Sequence, residues 1–488
     1  MSRSVGRPVD VLNYIDGQFQ ESTAGGWMEN IEPAIGHVYG RVPDSTGEDI
    51  DRAVTAASVA FPAWSYTPAV ERSQVLARIA DGIESRLDEF ARAESVDSGK
   101  PIGLARTVDI PRAVQNFRFF AGAVLYTSSE AHVTDHQALN YTLRRPRGVA
   151  GAISPWNLPI YLFSWKVAPA LATGNTVVGK PSEVTPVTAM LLCEVAAEAG
   201  LPAGVLNVVH GLGPVAGAAL VAHPDVTTLS FTGSTRAGQE IAGVAAPMFK
   251  KLALEMGGKN PNIIFADADL PAALDTTVRS SFANQGQICL CGSRIFVESS
   301  KYDEFVSALV ERTRALRMGD PLEESTQQGA VVSGAHRTKI ESYVALALEE
   351  GGEILCGGRR PDGLPDRCRD GYFYEPTIIA GLDAACRVNQ EEIFGPVVTV
   401  LPFESEDEVV AAANSVVYGL SATIWTENLK RAHRIADRLD AGTVWVNCWL
   451  LRDLRVPFGG MKASGVEREG GDEALRFFTE PKNVCVKL

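Results

Sequence analysis

The chain has 488 residues, 45% of them hydrophobic and 21% charged, the balance of a soluble globular protein with room for about two to four domains. Asp and Glu outnumber Lys and Arg by 59 to 45, a formal net charge of −14, so nucleic acid and anionic lipid are not expected as partners. The cysteines at 193, 289, 291, 356, 368, 386, 448 and 485 form no C-x-x-C and no His/Cys cluster, which argues against a disulfide scaffold and a zinc site and leaves no metal expected. The stretch Met1–Pro8 lacks the apolar segment of a signal peptide, and no run approaches the ~18 apolar residues of a membrane span, so a cytoplasmic location is expected.

In chain order, Asn13-Tyr14-Ile15 and Gln18-Phe19-Gln20 flank Asp16-Gly17 and predict a hairpin. Leu76, Ile79, Ile83, Leu87 and Phe90 recur at helical spacing and predict one continuous apolar face, and a further helix is expected over Pro111–Phe120. From Gly148 the pattern changes. Apolar runs at Val149–Ile153, Thr176–Gly179, Leu206–Val209 and Thr228–Phe231 alternate with helical segments such as Val187–Ala199 and Val215–Ala222. Buried runs alternating with helices predict an α/β fold with a parallel sheet, whose ligands bind beyond the carboxyl ends of the strands. The alternation resumes after about residue 257, with strands at Pro261–Phe265, Arg294–Val297, Val397–Phe403, Ala422–Trp425 and Thr443–Val446 and a helix over Tyr302–Leu316. Gln137–Arg145 and Asn483–Lys487 read as edge strands able to pair into a small platform, and the Gly/Pro/Asp-rich stretch 357–371 reads as a surface loop.

Five stretches could carry chemistry. Cys289 lies in a polar, glycine-bearing turn, Asn284-Gln-Gly-Gln-Ile-Cys289, between a helix and a strand. Cys291, two residues on, would share its face in an extended chain; a buried structural thiol is the plainer reading of either. Glu255 ends the apolar run Leu252-Ala-Leu-Glu255 before two glycines. There it is a candidate general base with a raised pKa, or else an edge carboxylate paired with Lys259. Asn157, after Pro155-Trp156, could donate to an oxyanion or form an Asx-turn. Lys180-Pro-Ser182-Glu183 suits the hydroxyls of a ribose or a capped helix start, and Phe231-Thr-Gly233-Ser234 suits an anion or an ordinary N-cap. Gly211-Leu-Gly213-Pro-Val-Ala-Gly217 follows a strand but has one residue too many for a dinucleotide fingerprint, and a tight turn explains it equally well.

Together with Glu391-Glu392-Ile-Phe394-Gly-Pro396 and Pro457-Phe-Gly-Gly460, these stretches resemble the aldehyde dehydrogenase superfamily over essentially the whole chain. The resemblance implies a Rossmann-like NAD-binding domain (1–124 and 147–257), a second α/β catalytic domain (258–463) and oligomerisation strands (125–146 and 474–488) of a homo-oligomer. It implies that Cys289 is the nucleophile, partly ionised, with Asn157 and the Cys289 N–H stabilising the oxyanion and Glu255 activating water. It also implies that NAD is held by Ile153, Trp156, Lys180, Ser182, Glu183, Gly213, Phe231, Gly233, Ser234, Glu392 and Phe394, with the Glu183 carboxylate disfavouring the 2′-phosphate of NADP.

Arg112 and Arg452 fall where the family's substrate tunnel often carries apolar or aromatic residues. Two guanidinium groups converging there would clamp a carboxylate, unless they are surface residues neutralised by Asp109 and Asp453. The segments Asp109–Phe120, Ile288–Cys291 and Asn447–Leu450 resemble the muconic semialdehyde dehydrogenase branch, whose substrates are short conjugated aldehydes bearing a carboxylate and an amino or hydroxyl group. A broader aliphatic or retinal-type aldehyde dehydrogenase and a non-catalytic protein keeping the fold are the alternatives. Glu467, where the family usually has Gly, and Pro481, which removes a backbone donor near the C-terminal strand, depart from the pattern.

Overall fold

A computed structural model describes residues 9–488, so the expectation for Met1–Pro8 lies outside the described residues. The hairpin Asn13–Ile15/Gln18–Gln20 forms as its Asp-Gly turn requires, with Asp16 and Gly17 both at positive φ. It extends the edge of an eight-stranded sheet. From the opposite edge the order is Gly465–Val466, Lys251–Glu255, Val226–Thr232, Val149–Ile153, Thr176–Lys180, Leu206–Val208 and then the hairpin. The five inner strands are parallel. The chain leaves Val149–Ile153 in one direction for Thr176–Lys180 and Leu206–Val208, then returns to its other side at Val226–Thr232. That reversal makes the gap between the two central strands the topological switch point of the sheet.

One face of this sheet packs against helices that include Ala69–Ser85, Ile110–Ala123, Pro159–Ala172 and Val187–Glu198, burying Phe117, Phe120, Phe163 and Leu192. Gly47–Tyr66, Ala218–Ala222 and Thr235–Ala245 cover the other face, around Ile50, Leu220 and Leu229. The apolar face expected from Leu76 to Phe90 is buried as a face but is not one helix. It breaks at Arg86, between Ala69–Ser85 and Leu87–Ser98. Both helices press the same side into the core, so the spacing survives the break.

A second sheet of seven strands runs Glu353–Cys356, Thr377–Ala380, Val397–Phe403, Arg294–Glu298, Pro261–Ile264, Ser421–Trp425 and Thr443–Val446, parallel except for the first. Its faces are buried by separate clusters, one around Phe282, Phe305 and Leu309 and one around Phe265, Phe403 and Ile435. The two edge strands do pair: Ala138–Pro146 runs antiparallel to Thr479–Lys487 and to Ala131–Thr134 in a third sheet, with Pro481 opposite Arg144 on the outermost strand. Glu467 holds a left-handed φ of 69°, the conformation a glycine would supply without strain. No helix among the described residues is long and apolar enough to cross a membrane.

Candidate active site

The segment before Cys289 is strained and pinned. Asp269 caps the helix Leu270–Phe282 by accepting from the Ala272 N–H, and the helix stops at Ala283. Asn284, Gln285 and Gly286 then take φ of 51°, 55° and 70° in succession, at a cost of roughly 1–2 kcal/mol for each non-glycine residue. Side-chain bonds to distant backbone offset it. Asn284 Nδ2 donates to the carbonyls of Asn157 (2.9 Å) and Gln287 (3.2 Å), and Gln285 Nε2 donates to those of Gly99 and Ala330, both at 2.9 Å. Only glycine fits at 286, because a Cβ there would stand 2.1 Å from the Gly395 carbonyl oxygen. A turn follows, closed by the Cys291 N–H on the Ile288 carbonyl at 3.0 Å. The chain at Cys289 is therefore not extended, and the expectation that Cys289 and Cys291 share a strand face is corrected. Asn260 Nδ2 ties the turn down through the carbonyls of Cys289 (2.7 Å) and Cys291 (2.9 Å).

Asn157 and Glu255 both come to this turn from the carboxyl edge of the first sheet. Asn157 is buried, and its Nδ2 donates to the Gln287 carbonyl at 2.8 Å. An amide nitrogen has two hydrogens, so one remains for a ligand. Glu255 ends its strand 4% exposed, with Oε1 unpartnered and seated against the Gly459 backbone. Its pairing with Lys259 does not form, since among the described residues Lys259 has no ion pair. Burial first, and then the neighbouring Glu469 carboxylate, push Glu255 well above the usual carboxylate range, while Lys166, Arg468 and Arg452 pull the other way. Burial likewise drives the Cys289 thiol up, reinforced by Glu392 and Glu255 and opposed by Arg452. Burial therefore disfavours the charged forms of both groups in the site as it stands.

Of the residues expected to hold a cofactor, those from Ile153 to Ser234 lie at or just beyond the carboxyl ends of the first sheet's parallel strands, while Glu392 and Phe394 come from the segment before the strand Val397–Phe403. Lys180 and Glu183 form a 2.9 Å ion pair after the Thr176 strand, with Ser182 buried between them. Ser234 caps the helix Thr235–Ala245 by accepting from the Ala237 N–H at 3.3 Å, and Gly233 allows the Phe231 ring to lie where a Cβ would stand 2.5 Å from it. Ile153 ends the Val149 strand, and Gly213 opens a short π-helical turn, Gly213–Gly217. Trp156 meets the rings of Phe394 and His336 edge-on at 5.3 and 5.1 Å, and His336 Nε2 lies 2.7 Å from the Phe394 carbonyl, holding Phe394 at a φ of 63°. Glu392 accepts from the Gly258 N–H at 2.9 Å and lies where a Cβ on Gly257 would be 2.1 Å away. Ser154 Oγ, both ring nitrogens of His210 and Thr232 Oγ1 are buried without partners, each at or just beyond the carboxyl end of a parallel strand. Orphaned polar groups in that position fit a polar ligand such as a dinucleotide.

Arg112 and Arg452 each lie near a ring of an aromatic cluster against which Cys289 packs. The Arg112 guanidinium lies 5.5 Å from the centre of the Tyr161 ring, and that of Arg452 sits between Phe458 (3.8 Å) and Trp165 (5.8 Å). Tyr161 and Phe458 belong to the same cluster as Ile288, Leu290, Trp445 and Trp449, with Cys289 packed against it. Both arginines are half-buried. Their neutralisation by neighbouring acids does not occur. Asp109 is buried against Lys100, Asp453 pairs with Arg455, and no carboxylate among the described residues lies within ion-pair distance of either guanidinium. Arg112 is lowered from the ordinary arginine value by desolvation first, with Tyr161 opposing and the charge of Arg452 adding to the fall.

Sequence reasoning missed the residues behind the candidate catalytic atoms. Lys166, the only charged residue in the helix Pro159–Ala172, bonds Glu469 at 2.8 Å and Ser230 Oγ at 3.1 Å, which sets a buried polar chain behind Glu255. A lone lysine in an apolar helix was the available signal. Lys100 and Asn260 gave none.

Residues 19–484 match the aldehyde dehydrogenase family. A 2-aminomuconic semialdehyde dehydrogenase of Danio rerio is 54% identical over 97% of this chain and 98% of its own length. A 2-hydroxymuconic semialdehyde dehydrogenase of Pseudomonas sp. strain CF600 is 48% identical over 98% of this chain and 100% of its own. The solved NAD+ complex of an aldehyde dehydrogenase from Bacillus cereus has a TM-score of 0.96 at 40% identity, covering 98% of this chain and 97% of that one.

Proposed function

We propose that this chain, which belongs to the aldehyde dehydrogenase family, catalyses the NAD-dependent oxidation of 2-aminomuconic or 2-hydroxymuconic semialdehyde to the dicarboxylic acid. The observation that carries the substrate is the pair of guanidinium groups without a carboxylate partner, Arg112 and Arg452, over the aromatic cluster beside Cys289. A half-buried cation without a counterion is poised for an anionic ligand, and a guanidinium fork takes a carboxylate in two parallel hydrogen bonds. Relatives of both the amino and the hydroxy type support the reading.

In this reading the substrate carboxylate docks on the arginines and directs the aldehyde carbon to Cys289 Sγ. The Glu255 carboxylate takes the thiol proton as sulfur adds, and the new oxyanion accepts from the free Asn157 Nδ2–H and the Cys289 main-chain N–H. Bound NAD supplies the hydride acceptor, held by Lys180, Glu183, Ser234, Glu392 and Phe394 with Ile153, Trp156, Ser182, Gly213, Phe231 and Gly233 shaping its path. Loss of the hydride leaves a thioester on Cys289. Glu255, held at a raised pKa by burial, returns to its carboxylate form as that first proton leaves through the Glu469–Lys166–Ser230 chain, and then takes a proton from the water that cleaves the thioester. The first sheet serves cofactor binding, the second the nucleophile, and the third self-association.

The test compares kcat/KM for 2-hydroxymuconic semialdehyde with that for benzaldehyde. A strong preference for the semialdehyde is expected, and parity would refute the assigned substrate. Cys289→Ala should abolish NADH production and Cys291→Ala should not; the reverse would misplace the nucleophile.

A further inference from the structure

Behind Asn157 lies a buried cluster of charge that the cycle above does not use. Lys100, Glu94 and Asp109 have no exposed side-chain surface. Lys100 Nζ donates to Asp109 Oδ2 at 2.5 Å and to the main-chain carbonyl of Asn157 at 3.1 Å, and lies 3.6 Å from Glu94 Oε1. Thr188 Oγ1 holds the other oxygen of Glu94 at 2.9 Å. Asp109 directly precedes the helix Ile110–Ala123, on which Arg112 rides.

We propose that Lys100, fixed by Asp109, is a positioning residue for the oxyanion donor. It holds the Asn157 peptide so that the side-chain amide faces the carbon under attack at Cys289. The proposal rests on the reading of Asn157 as that donor.

Three observations support it. First, the Asn157 carbonyl is gripped from two sides, by Lys100 and by Asn284 Nδ2, while its own Nδ2 is tied to Gln287. Asn284 and Gln287 belong to the strained segment that delivers Cys289, so the Lys100 contact fixes the donor in the nucleophile's own frame. Second, stability does not account for the pair. Burying a lysine and a carboxylate is costly, and apolar residues of the same volume commonly do as well or better. Third, an oxyanion donor works by being in place before charge develops, and a displacement of about 1 Å can cost roughly a hundredfold in rate. Through Asp109 the same contact anchors the start of the Arg112 helix, so one buried lysine sets the donor and one arm of the clamp in register.

The test is a double-mutant cycle read in the first-turnover burst of NADH. Lys100→Met keeps the volume and removes the donor. It should slow the burst about 10- to 100-fold, while NAD affinity and the iodoacetamide alkylation rate of Cys289 stay within about twofold. Asn157→Ala should slow the burst about 100- to 1000-fold. In that background Lys100→Met should add less than about twofold, because the residue acts through Asn157. Lys100→Gln, which retains an N–H donor, should recover part of the loss. If Lys100→Met does not fold with Asp109 left unpaired, Lys100→Met/Asp109→Asn removes both charges together and is read against Asp109→Asn in the same cycle. Full multiplication of the two losses, or a Gln variant no better than Met, would overturn the proposal. An Asn157→Ala enzyme with an undiminished burst would instead remove the reading of Asn157, and the proposal with it.

Discussion

The arginine pair gives the sharpest quantitative expectation. Replacing Arg452 by Met keeps an unbranched stem over the Phe458 ring, where the guanidinium sits 3.8 Å from the centroid, and removes only the charge and its donors. With Asp453 taken by Arg455 at 2.6 Å, the guanidinium has no internal carboxylate to compete with a ligand. A substrate carboxylate about 4 Å away is attracted by about 4 kcal/mol at an effective dielectric of 20 and by about 1 kcal/mol in water. Desolvation takes back part of this, and hydrogen bonds to charged groups are worth about 1.5–3 kcal/mol net. A loss of about 2–3 kcal/mol in kcat/KM, or roughly 30- to 150-fold, is therefore expected for a carboxylate-bearing semialdehyde. A neutral aldehyde also responds, because Arg452 lowers the pKa of both Cys289 and Glu255. That loss is common to both substrates, so the ratio of the two kcat/KM values isolates the clamp. Arg112→Met should behave alike without the common loss. The assay is NADH production with 2-hydroxymuconic semialdehyde and a neutral aldehyde of similar length. An unchanged ratio in both variants would refute the clamp.

Three further outcomes follow from the same structure. Because burial raises Glu255, its active carboxylate form grows as pH rises, so kcat should go on climbing above the ordinary carboxylate range, about tenfold per unit below the folded pKa; a profile already level at the top of the ordinary carboxylate range would contradict the base assignment. By linkage that raised pKa favours the folded chain at low pH, and the contribution is lost as pH rises from the unfolded value through the folded one. Glu183→Ala removes the carboxylate that opposes a 2′-phosphate, so the NADP to NAD ratio of kcat/KM should rise about 10- to 100-fold, and an unchanged ratio would place the ribose elsewhere. Glu467→Gly should raise the unfolding free energy by about 0.5–1 kcal/mol by relieving an L-residue at a φ of 69°, measured by urea titration, and a loss of stability would show the Glu467 side chain to be needed.

How far the sequence revealed all this depended on the range of the interaction concerned. The parallel strands were legible because each is a short apolar run ended by a turn-forming residue, and the hairpin because Asp16-Gly17 permits positive φ. These are local facts. The break at Arg86 was not legible, since two helices pressing one face into the core keep the spacing of a single helix. Nor was the turn at Cys289, whose left-handed run at Asn284 and Gln285 exists only because carbonyls from Gly99, Asn157 and Ala330 accept its side-chain donors. The buried charges mark the boundary most clearly. Lys166 stands alone in fourteen residues of helix, and a charge so placed must find a partner or be neutralised. The sequence thus states that a partner exists. It does not say which, because Glu469 lies 303 residues away and is brought there by the strand Gly465–Val466 returning to the first sheet beside Glu255. Lys100 carried no such signal, because it lies outside any helix or strand, after the polar stretch Asp97-Ser98-Gly99, and meets Asn157 57 residues away. A lone charge in an apolar element is therefore worth reading as an open bond, and at Lys166 that bond closes behind a group assigned to the chemistry.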